Sequence, residues 1–188
     1  MSIIVGVIKD GKASIGADTQ TNHGSLKISD QFKVNNSKIY KIKDTLIGIS
    51  GWYAMELIFG HILQNKPQLF DFTSRQSIFE SLLKMQKILE EEYFIETSEN
   101  EDQPVSSNQL TAIIVNKNGL FDIDSYREVN QFSKFWAIGS GQEFALGAMH
   151  ALYDRDFTTE EIARAGIMAA AEFDDGCGLP MHIESIKS

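Results

Sequence analysis

Two kinds of apolar pattern alternate along the chain. Short apolar runs lie at 3–8 and 13–18, on either side of an Asp10-Gly11 turn. Two such runs joined by a tight turn predict a β-hairpin. The same reasoning predicts a second hairpin from the runs at 37–42 and 45–51. The polar segment between the two hairpins, 19–36, is predicted to be a loop with one short strand. The further strands are predicted at 37–42, 45–51, 110–115, 120–124, 134–138 and 181–186.

Apolar residues spaced three and four apart predict four helices between these strands. The first helix has its apolar face at Met55–Leu63, and Asn65-Lys66-Pro67 ends it. The second carries Ile78, Leu82, Met85 and Leu89, with Thr73 or Ser74 as its N-cap. Two more helices, rich in alanine and glycine, are predicted at 143–153 and 158–173, and the latter begins with a possible capping box at 158–161.

The order of elements is strands, two helices, strands, two helices and a last strand. Such segregation indicates an α+β fold instead of a doubly wound parallel sheet. Two antiparallel sheets packed face to face, each covered by a helix pair, would bury both faces of every strand. The length of 188 residues favours one domain, 1–188, over two.

Charge and composition narrow the classes of function. The net charge of −9 argues against non-specific nucleic-acid binding, which needs surplus cations. The single cysteine, Cys177, excludes an intrachain disulfide and fits a reducing compartment. The four histidines lack metal-ligand spacing, and no Walker loop or HExxH motif is present. No signal peptide and no apolar run of membrane-spanning length is found, so we expect a cytoplasmic protein that does not contact a membrane.

The first hairpin brings a hydroxyl and a carboxylate together. Ser2 precedes its first strand and Asp18 ends its second, and antiparallel pairing places both at one end. If Met1 is removed, Ser2 carries a side-chain nucleophile and a free α-amine. An α-amine titrates near about 7.7–8.0, so it can serve as a general base beside a hydroxyl. Many chains begin Met-Ser, and this pair alone does not establish a site.

Four local motifs, in this order and spacing, add to the hairpin. The motifs are Ile4-Val5-Gly6-Val7 with Gly16-Ala17-Asp18-Thr19, Lys38-Ile39-Tyr40-Lys41-Ile42, Ile49-Ser50-Gly51, and Ala137-Ile138-Gly139-Ser140-Gly141 before an alanine-rich helix. With them the chain resembles the β-type proteasome subunits, and among them HslV-like peptidases, over nearly its whole length. The resemblance implies an N-terminal nucleophile (Ntn) hydrolase with a four-layer α-β-β-α sandwich fold.

The resemblance also implies roles for individual residues. Ile49, two residues before Gly51, is implied to line an apolar specificity pocket. A lysine ammonium near Ser2 would disfavour a second positive charge and so make the amine a better base. An oxyanion-hole N–H lowers the barrier by about 2.7–4 kcal/mol. The implied catalytic set is Ser2 as nucleophile, Asp18 as acidic partner, Lys38 as catalytic lysine, Gly51 as oxyanion-hole glycine, and Ser140 and Asp175 as groups supporting the amine.

Each of these residues also has an ordinary structural interpretation. Asp18 and Lys38 could be surface charges at strand ends, and Gly51 a strand-to-helix turn. Ser140 could be only a helix cap. Lys33 competes with Lys38, but Lys38 lies in the motif and Lys33 in the variable loop.

The chain departs from the family pattern in three ways. Serine stands where the family has threonine, which keeps the hydroxyl and loses the β-methyl that restricts χ1. Only Met1 precedes Ser2, and serine is small enough for methionine aminopeptidase to expose it. Gly178 falls near the position of a serine that supports the family's site.

The resemblance further implies a ligand and partners. No cofactor is required, although a monovalent cation could bind backbone carbonyls of Ala171, Asp174 and Cys177. The family forms stacked rings, here expected to be homo-oligomeric, that cleave peptides or unfolded proteins and are often fed by an ATPase unfoldase. Two alternatives stay open: a non-catalytic ring or scaffold subunit that retains Met1, and an Ntn amidohydrolase acting on a small amide.

Overall fold

The protein is described here by a computed structural model that covers residues 2–34, 37–98 and 102–187. Within these residues the chain forms eleven strands and four α-helices. The strands are β1 (Ile3–Lys9), β2 (Lys12–Asp18), β3 (Thr21–His23), β4 (Leu26–Ile28), β5 (Ile39–Ile42), β6 (Thr45–Gly51), β7 (Leu110–Asn116), β8 (Gly119–Ile123), β9 (Val129–Phe132), β10 (Phe135–Gly139) and β11 (Met181–Lys187). The helices are α1 (Tyr53–Asn65), α2 (Arg75–Glu92), α3 (Gln142–Tyr153) and α4 (Thr159–Phe173).

The strands form two large antiparallel sheets and a small hairpin. The first sheet has the order β10-β1-β2-β11, and the second has the order β5-β6-β7-β8-β9. Strands β3 and β4 pair only with each other. In the first sheet, the two ends of the chain and a strand from its middle therefore lie side by side.

Three apolar cores separate four layers. One core packs α3 and α4 against the first sheet, and another packs α1 and α2 against the second. The third lies between the sheets and contains residues such as Ile4, Ile15 and Ile113. Every strand of the central layers thus buries apolar side chains, which removes them from water and stabilises the sandwich. The predicted α+β fold with α-β-β-α layers is confirmed.

Two glycines allow the sheets to approach closely. A Cβ added to Gly6 would lie 2.4 Å from Cδ1 of Leu120 in the facing sheet. A Cβ added to Gly48 would lie 2.6 Å from Cγ2 of Ile4. Both contacts are closer than carbon atoms tolerate, so side chains of one sheet occupy the space left by the glycines of the other.

The helix starts follow the sequence signals. Ser74 is the N-cap of α2, and its hydroxyl accepts the backbone N–H of Ser77. Thr158 and Glu161 form the capping box of α4. These bonds satisfy N–H groups that a first helical turn leaves without partners.

The differences from prediction concern polar strands. Strand β9 was not predicted, because Asn130 and Gln131 break the apolar alternation in an edge strand. The loop 19–36 contains two short strands, not one. Positions 35 and 36 of that loop lie outside the described residues, as does Met1. None of the helices in the described part of the chain has the length and apolar character to cross a bilayer.

Candidate active site

The first hairpin brings the start of β1 to the end of β2. Its register pairs Ile4 with Ala17, so the chain just before β1 lies beside Asp18. The Asp18 carboxylate is fully buried and accepts the N–H of Ile3 at 3.1 Å through Oδ1. Its Oδ2 accepts the N–H groups of Gln20 at 3.2 Å and Gly178 at 3.1 Å. Backbone donors from three segments therefore fix this carboxylate next to Ser2.

Lys38 reaches the same point from the second sheet. Its backbone carbonyl accepts the N–H of Ile49, which fixes Lys38 at the start of β5. Its ammonium donates to Asp18 Oδ1 at 2.6 Å, the carbonyl oxygen of Gln20 at 2.7 Å and Ser2 Oγ at 3.0 Å. An ammonium has three N–H donors, and these three acceptors use all of them. We call Asp18, Gln20 and Lys38 the lysine cluster.

Burial makes the charges of the lysine cluster effective. Ser2 and Lys38 are each 3% exposed. Removing an ion pair from water is costly, and here hydrogen bonds to both ions offset that cost. A cation 3.0 Å from Ser2 Oγ stabilises negative charge that develops on that oxygen. The arrangement can therefore activate the Ser2 hydroxyl.

A second polar group contains Ser140, which follows β10. Strands β1 and β10 pair Ile3 with Gly139, so the next pair along the register is Ser2 with Ser140. Ser140 Oγ donates to Asp174 Oδ2 at 2.6 Å, and Cys177 Sγ donates to the same oxygen at 2.9 Å. We call Ser140, Asp174 and Cys177 the turn cluster, because two of them lie on the turn after α4.

The hydrogen bonds of the turn cluster alter its acidities. Partial burial raises the pKa of Asp174. The hydrogen bonds from Cys177, Ser140 and the Gly176 N–H together lower it by more, so the pKa lies below its ordinary value. Burial, followed by the bond to Asp174, raises the pKa of the Cys177 thiol. A protonated thiol is a poor nucleophile, so Cys177 acts here as a hydrogen-bond donor.

Gly139 packs closely against the backbone of Ser2. Its φ is +106°, and a Cβ at this position would lie 2.1 Å from the carbonyl oxygen of Ser2. Neither the backbone conformation nor the space admits a side chain. The glycine thus lets β10 pass against Ser2 and places Ser140 beside it.

Gly51 lines two cavities. The smaller, of about 50 Å³, has Ser2, Lys38, Gly51, Tyr53 and Glu56 among its lining residues. A wider groove of about 850 Å³ runs past Gly51 and Ser140. Gly51 therefore shares the small cavity with Ser2, and its role as an oxyanion-hole glycine stays a prediction.

The structure does not bring every expected residue to this site. Asp174, and not Asp175, accepts the bond from Ser140; the Asp175 side chain is exposed, and its carbonyl oxygen accepts Gln20 Nε2 at 2.7 Å. Ile49 is fully buried in the core against α1 and α2 and lines none of the cavities described here. The roles of Asp175 and Ile49 stay predictions.

Gln20, in the lysine cluster, and Glu56 were not predicted from the sequence as residues of the site. Glu56 lies in the first turn of α1, half-buried, and lines the small cavity with Ser2. Burial raises its pKa, while the charges of Lys38 and Lys33 lower it by less. A glutamate near a helix start is common, and only the fold shows that this one lines a cavity with Ser2.

Comparison with known proteins decides the family. The model of the proteasome subunit family matches residues 2–179. The chain belongs to the proteasome subunit family. The match spans β1, the lysine cluster and the turn cluster. Membership supports a proteasome-type peptidase or a related subunit.

Solved structures of similar fold agree with this membership. Thiobacillus denitrificans BPH in complex with epoxomicin is 34% identical, with a TM-score of 0.91 over 98% of each chain. A second structure of that BPH is 34% identical, with a TM-score of 0.90 over 98% of this chain and 97% of the other. Eukaryotic HslV from Trypanosoma brucei is 22% identical, with a TM-score of 0.70 over 99% of each chain, and shows the shared fold. Among the curated proteins none matches.

The expected cation position of this proteasome-family chain lies on the turn after α4. Of the three carbonyls at Ala171, Asp174 and Cys177, that of Asp174 accepts the Cys177 N–H at 3.1 Å. A carbonyl oxygen has two lone pairs, so this bond leaves room for a cation. Within 2–34, 37–98 and 102–187, no group of three His, Cys, Asp or Glu side chains is placed to hold a metal ion.

Proposed function

We propose that this proteasome-family chain is a threonine-type peptidase that uses an N-terminal serine, Ser2, as its nucleophile after removal of Met1. The observation that carries the proposal is the buried contact of the Lys38 ammonium with both Ser2 Oγ and Asp18. A lysine held in this way stabilises the negative charge that develops on the hydroxyl oxygen when it reacts. Membership in the proteasome subunit family supports the same conclusion.

The first half of the reaction forms an ester. Ser2 Oγ attacks the carbonyl carbon of a peptide bond while the α-amine of Ser2 accepts the hydroxyl proton, directly or through a water molecule. The N–H of Gly51 is the proposed donor to the oxyanion. The C–N bond then breaks, the leaving amine takes the proton from the α-ammonium, and the acyl group remains on Ser2 Oγ.

The second half restores the enzyme. Water attacks the ester carbon, and the α-amine accepts a proton from that water. Collapse of the tetrahedral intermediate returns the proton to Ser2 Oγ and releases a carboxylic acid. Atoms balance as hydrolysis of one amide bond by one water molecule, with no external co-reactant.

The two clusters suit a base that is an amine. The positive charge of Lys38 disfavours protonation of a second nitrogen close by, which keeps the α-amine neutral at a lower pH. The turn cluster holds hydroxyl, thiol and carboxylate groups together, and Ser140 follows the Gly139 that packs against Ser2, which favours a role in orienting that amine. We assign Ser140 and Asp174 this positioning role, with Cys177 as donor to Asp174.

The proposal extends to assembly and location. Apolar side chains are exposed near the start of α3 and at the end of α4. The ring centroids of Phe144 and Phe173 lie 5.6 Å apart, and these side chains are 43% and 69% exposed. Stacked homo-oligomeric rings would cover such surface, with a peptide or unfolded chain as substrate and an ATPase unfoldase as partner. The expected location is the cytoplasm, where methionine aminopeptidase acts. A monovalent cation on the carbonyls of the turn after α4 would stabilise that turn.

The test combines mass spectrometry with peptide hydrolysis. Intact mass should show loss of Met1, and epoxomicin, the compound bound to the Thiobacillus BPH, should add its mass at Ser2. Ser2→Ala, which is also small enough for methionine removal, should abolish both the adduct and hydrolysis of short fluorogenic peptides. Ser2→Thr should retain them.

Two results would reject the proposal. Retention of Met1 in the purified protein would leave the amine in a peptide bond and favour a non-catalytic subunit. Peptide hydrolysis that persists in Ser2→Ala would show that another group is the nucleophile.

A further inference from the structure

The small cavity beside Ser2 is where one substrate side chain must lie. The carbonyl carbon that Ser2 Oγ attacks is bonded to the α-carbon of the residue before the cleaved bond. The side chain of that residue therefore starts within a few bond lengths of both Ser2 and Gly51. Both residues line the cavity of about 50 Å³, so this cavity selects the side chain that enters it.

Among the described residues that line this cavity, Glu56 is the acidic one and Lys38 the basic one. The other lining residues besides Lys38 are Ser2, Gln20, Thr21, Asn22, Gly51 and Tyr53, which are neutral at pH 7. In the part of the chain that the structure describes, no hydrogen bond or ion pair involves the Glu56 carboxylate. A half-buried carboxylate in this position is available to a ligand.

The two lysines nearest to Glu56 are held by other groups. All three donors of the Lys38 ammonium are used by Asp18, Gln20 and Ser2. The Lys33 ammonium donates to Thr21 Oγ1 at 2.5 Å and does not line the cavity. Their charges lower the pKa of Glu56, yet burial outweighs them and the net pKa is raised. A cation bound in the cavity would offset that cost of burial.

We propose that Glu56 determines substrate specificity and selects peptides with a lysine-type cationic side chain immediately before the cleaved bond. This inference rests on the proposed function. Lysine suits this small cavity because its side chain is an unbranched stem with one ammonium at its end. The linear chain of lysine passes Tyr53 and presents its ammonium to Glu56.

The experiment compares matched peptides. Fluorogenic peptides differ only in the residue before the cleaved bond: lysine, norleucine, which has lysine's chain without the ammonium, or glutamate. For the unmodified protein, kcat/KM for lysine should exceed that for norleucine by about tenfold or more, since a hydrogen bond to a charged group contributes that much. The glutamate peptide should be the poorest.

The variants separate charge from shape. Glu56→Gln should bring the lysine and norleucine peptides within about twofold of each other, because the neutral amide keeps the shape of the side chain and loses its charge. Glu56→Lys should make the glutamate peptide better than the lysine peptide. Glu80→Gln, an equivalent change on the exposed face of α2, should keep the original preference. Thermal unfolding of each variant checks that it folds.

The outcomes distinguish this inference from the proposed function. Ser2-dependent hydrolysis with equal rates for lysine and norleucine would overturn the role of Glu56 and leave the nucleophile in place. An unchanged preference in a folded Glu56→Gln variant would do the same. If no peptide is cleaved in a Ser2-dependent way, the proposed function fails and this inference fails with it.

Discussion

The lysine cluster and the turn cluster lie near Ser2 and are built differently. In the lysine cluster, Asp18 and Lys38 are buried and belong to the ends of strands in two sheets. In the turn cluster, Ser140 is exposed and Asp174 lies on a turn. Strand register fixes the first cluster, whereas the second depends on the conformation of a loop.

Because the clusters are built differently, substitutions in them should destabilise the fold by different amounts. Loss of one ion from a buried pair leaves the other uncompensated, so the lysine cluster affects both folding and chemistry. Exposed hydrogen bonds are screened by water, so the turn cluster should affect the reaction more than the stability. Variants in the two clusters therefore test whether the nucleophile and its base are supported independently.

The largest effect is expected for Lys38→Met. It leaves the buried Asp18 carboxylate without its cation and removes the donor to Ser2 Oγ. Peptide hydrolysis should fall by about 10²–10⁴-fold, and the free energy of unfolding should fall by about 3–5 kcal/mol. Initial rates and urea unfolding measure the two losses.

The control for Lys38 is the competing lysine. Lys33→Met removes contacts to Thr21 Oγ1 and the Thr19 carbonyl and leaves the bonds of Lys38 intact. Its effect on rate should stay below about tenfold. A greater loss from Lys33→Met than from Lys38→Met would reverse the assignment of the two lysines.

Gly139→Ala should have the next largest effect, because Gly139 packs against the backbone of Ser2. The added Cβ would lie 2.1 Å from the Ser2 carbonyl oxygen, at a φ of +106°. We expect a loss of about 2–3 kcal/mol in stability and of about 100-fold in rate, because Ser2 is displaced. Gly147→Ala in α3 has nothing within 4 Å and should stabilise the protein slightly. Similar results for the two variants would contradict the close packing at Ser2.

A smaller effect on the rate should distinguish Asp174 from its neighbour Asp175. Asp174→Asn removes the charge that accepts bonds from Ser140 and Cys177 and should lower kcat/KM by about tenfold. Asp175→Asn changes an exposed side chain and should leave kcat/KM within about twofold. If Asp175→Asn had the greater effect, the position expected from the sequence would be restored.

The smallest effect is a pH dependence of stability. The folded-state pKa of Asp174 is lowered, so its ionised form contributes stability above the ordinary aspartate value of about 3.9. This contribution is lost as pH falls through the lower folded-state pKa. Urea midpoints of Asp174→Asn and the unmodified protein should therefore converge as acid is added. A difference that grows toward low pH would mean that the pKa is raised.

The sequence predicted the lysine cluster better than the turn cluster. Turn signals and alternation define the strands on which Ser2 and Asp18 lie, and pairing fixes their neighbourhood. On the turn after α4, two consecutive aspartates offer no periodicity that tells which one points inward. The conformation of 174–177 makes that choice, with the Cys177 N–H bonded to the Asp174 carbonyl.

Glu56 and Ile49 show a second limit of the sequence. Both flank the segment that contains Gly51, but one is polar on a helix and the other apolar on a strand. Which of them meets the cavity depends on how α1 packs on the second sheet, and here Ile49 lies in the core between them. Local patterns do not encode the relative placement of two layers.

The glycines between the sheets link the interior of the sandwich to its chemistry. Asp18 ends a strand of the first sheet and Lys38 precedes a strand of the second, so their 2.6 Å contact bridges the gap between the sheets. Gly6 and Gly48 help to set the width of that gap. Bulk added at either position would wedge the sheets apart and pull the ammonium from its counter-ion. The proposed activity then depends on the spacing between the layers, and substitutions that touch no reacting atom should be able to abolish it.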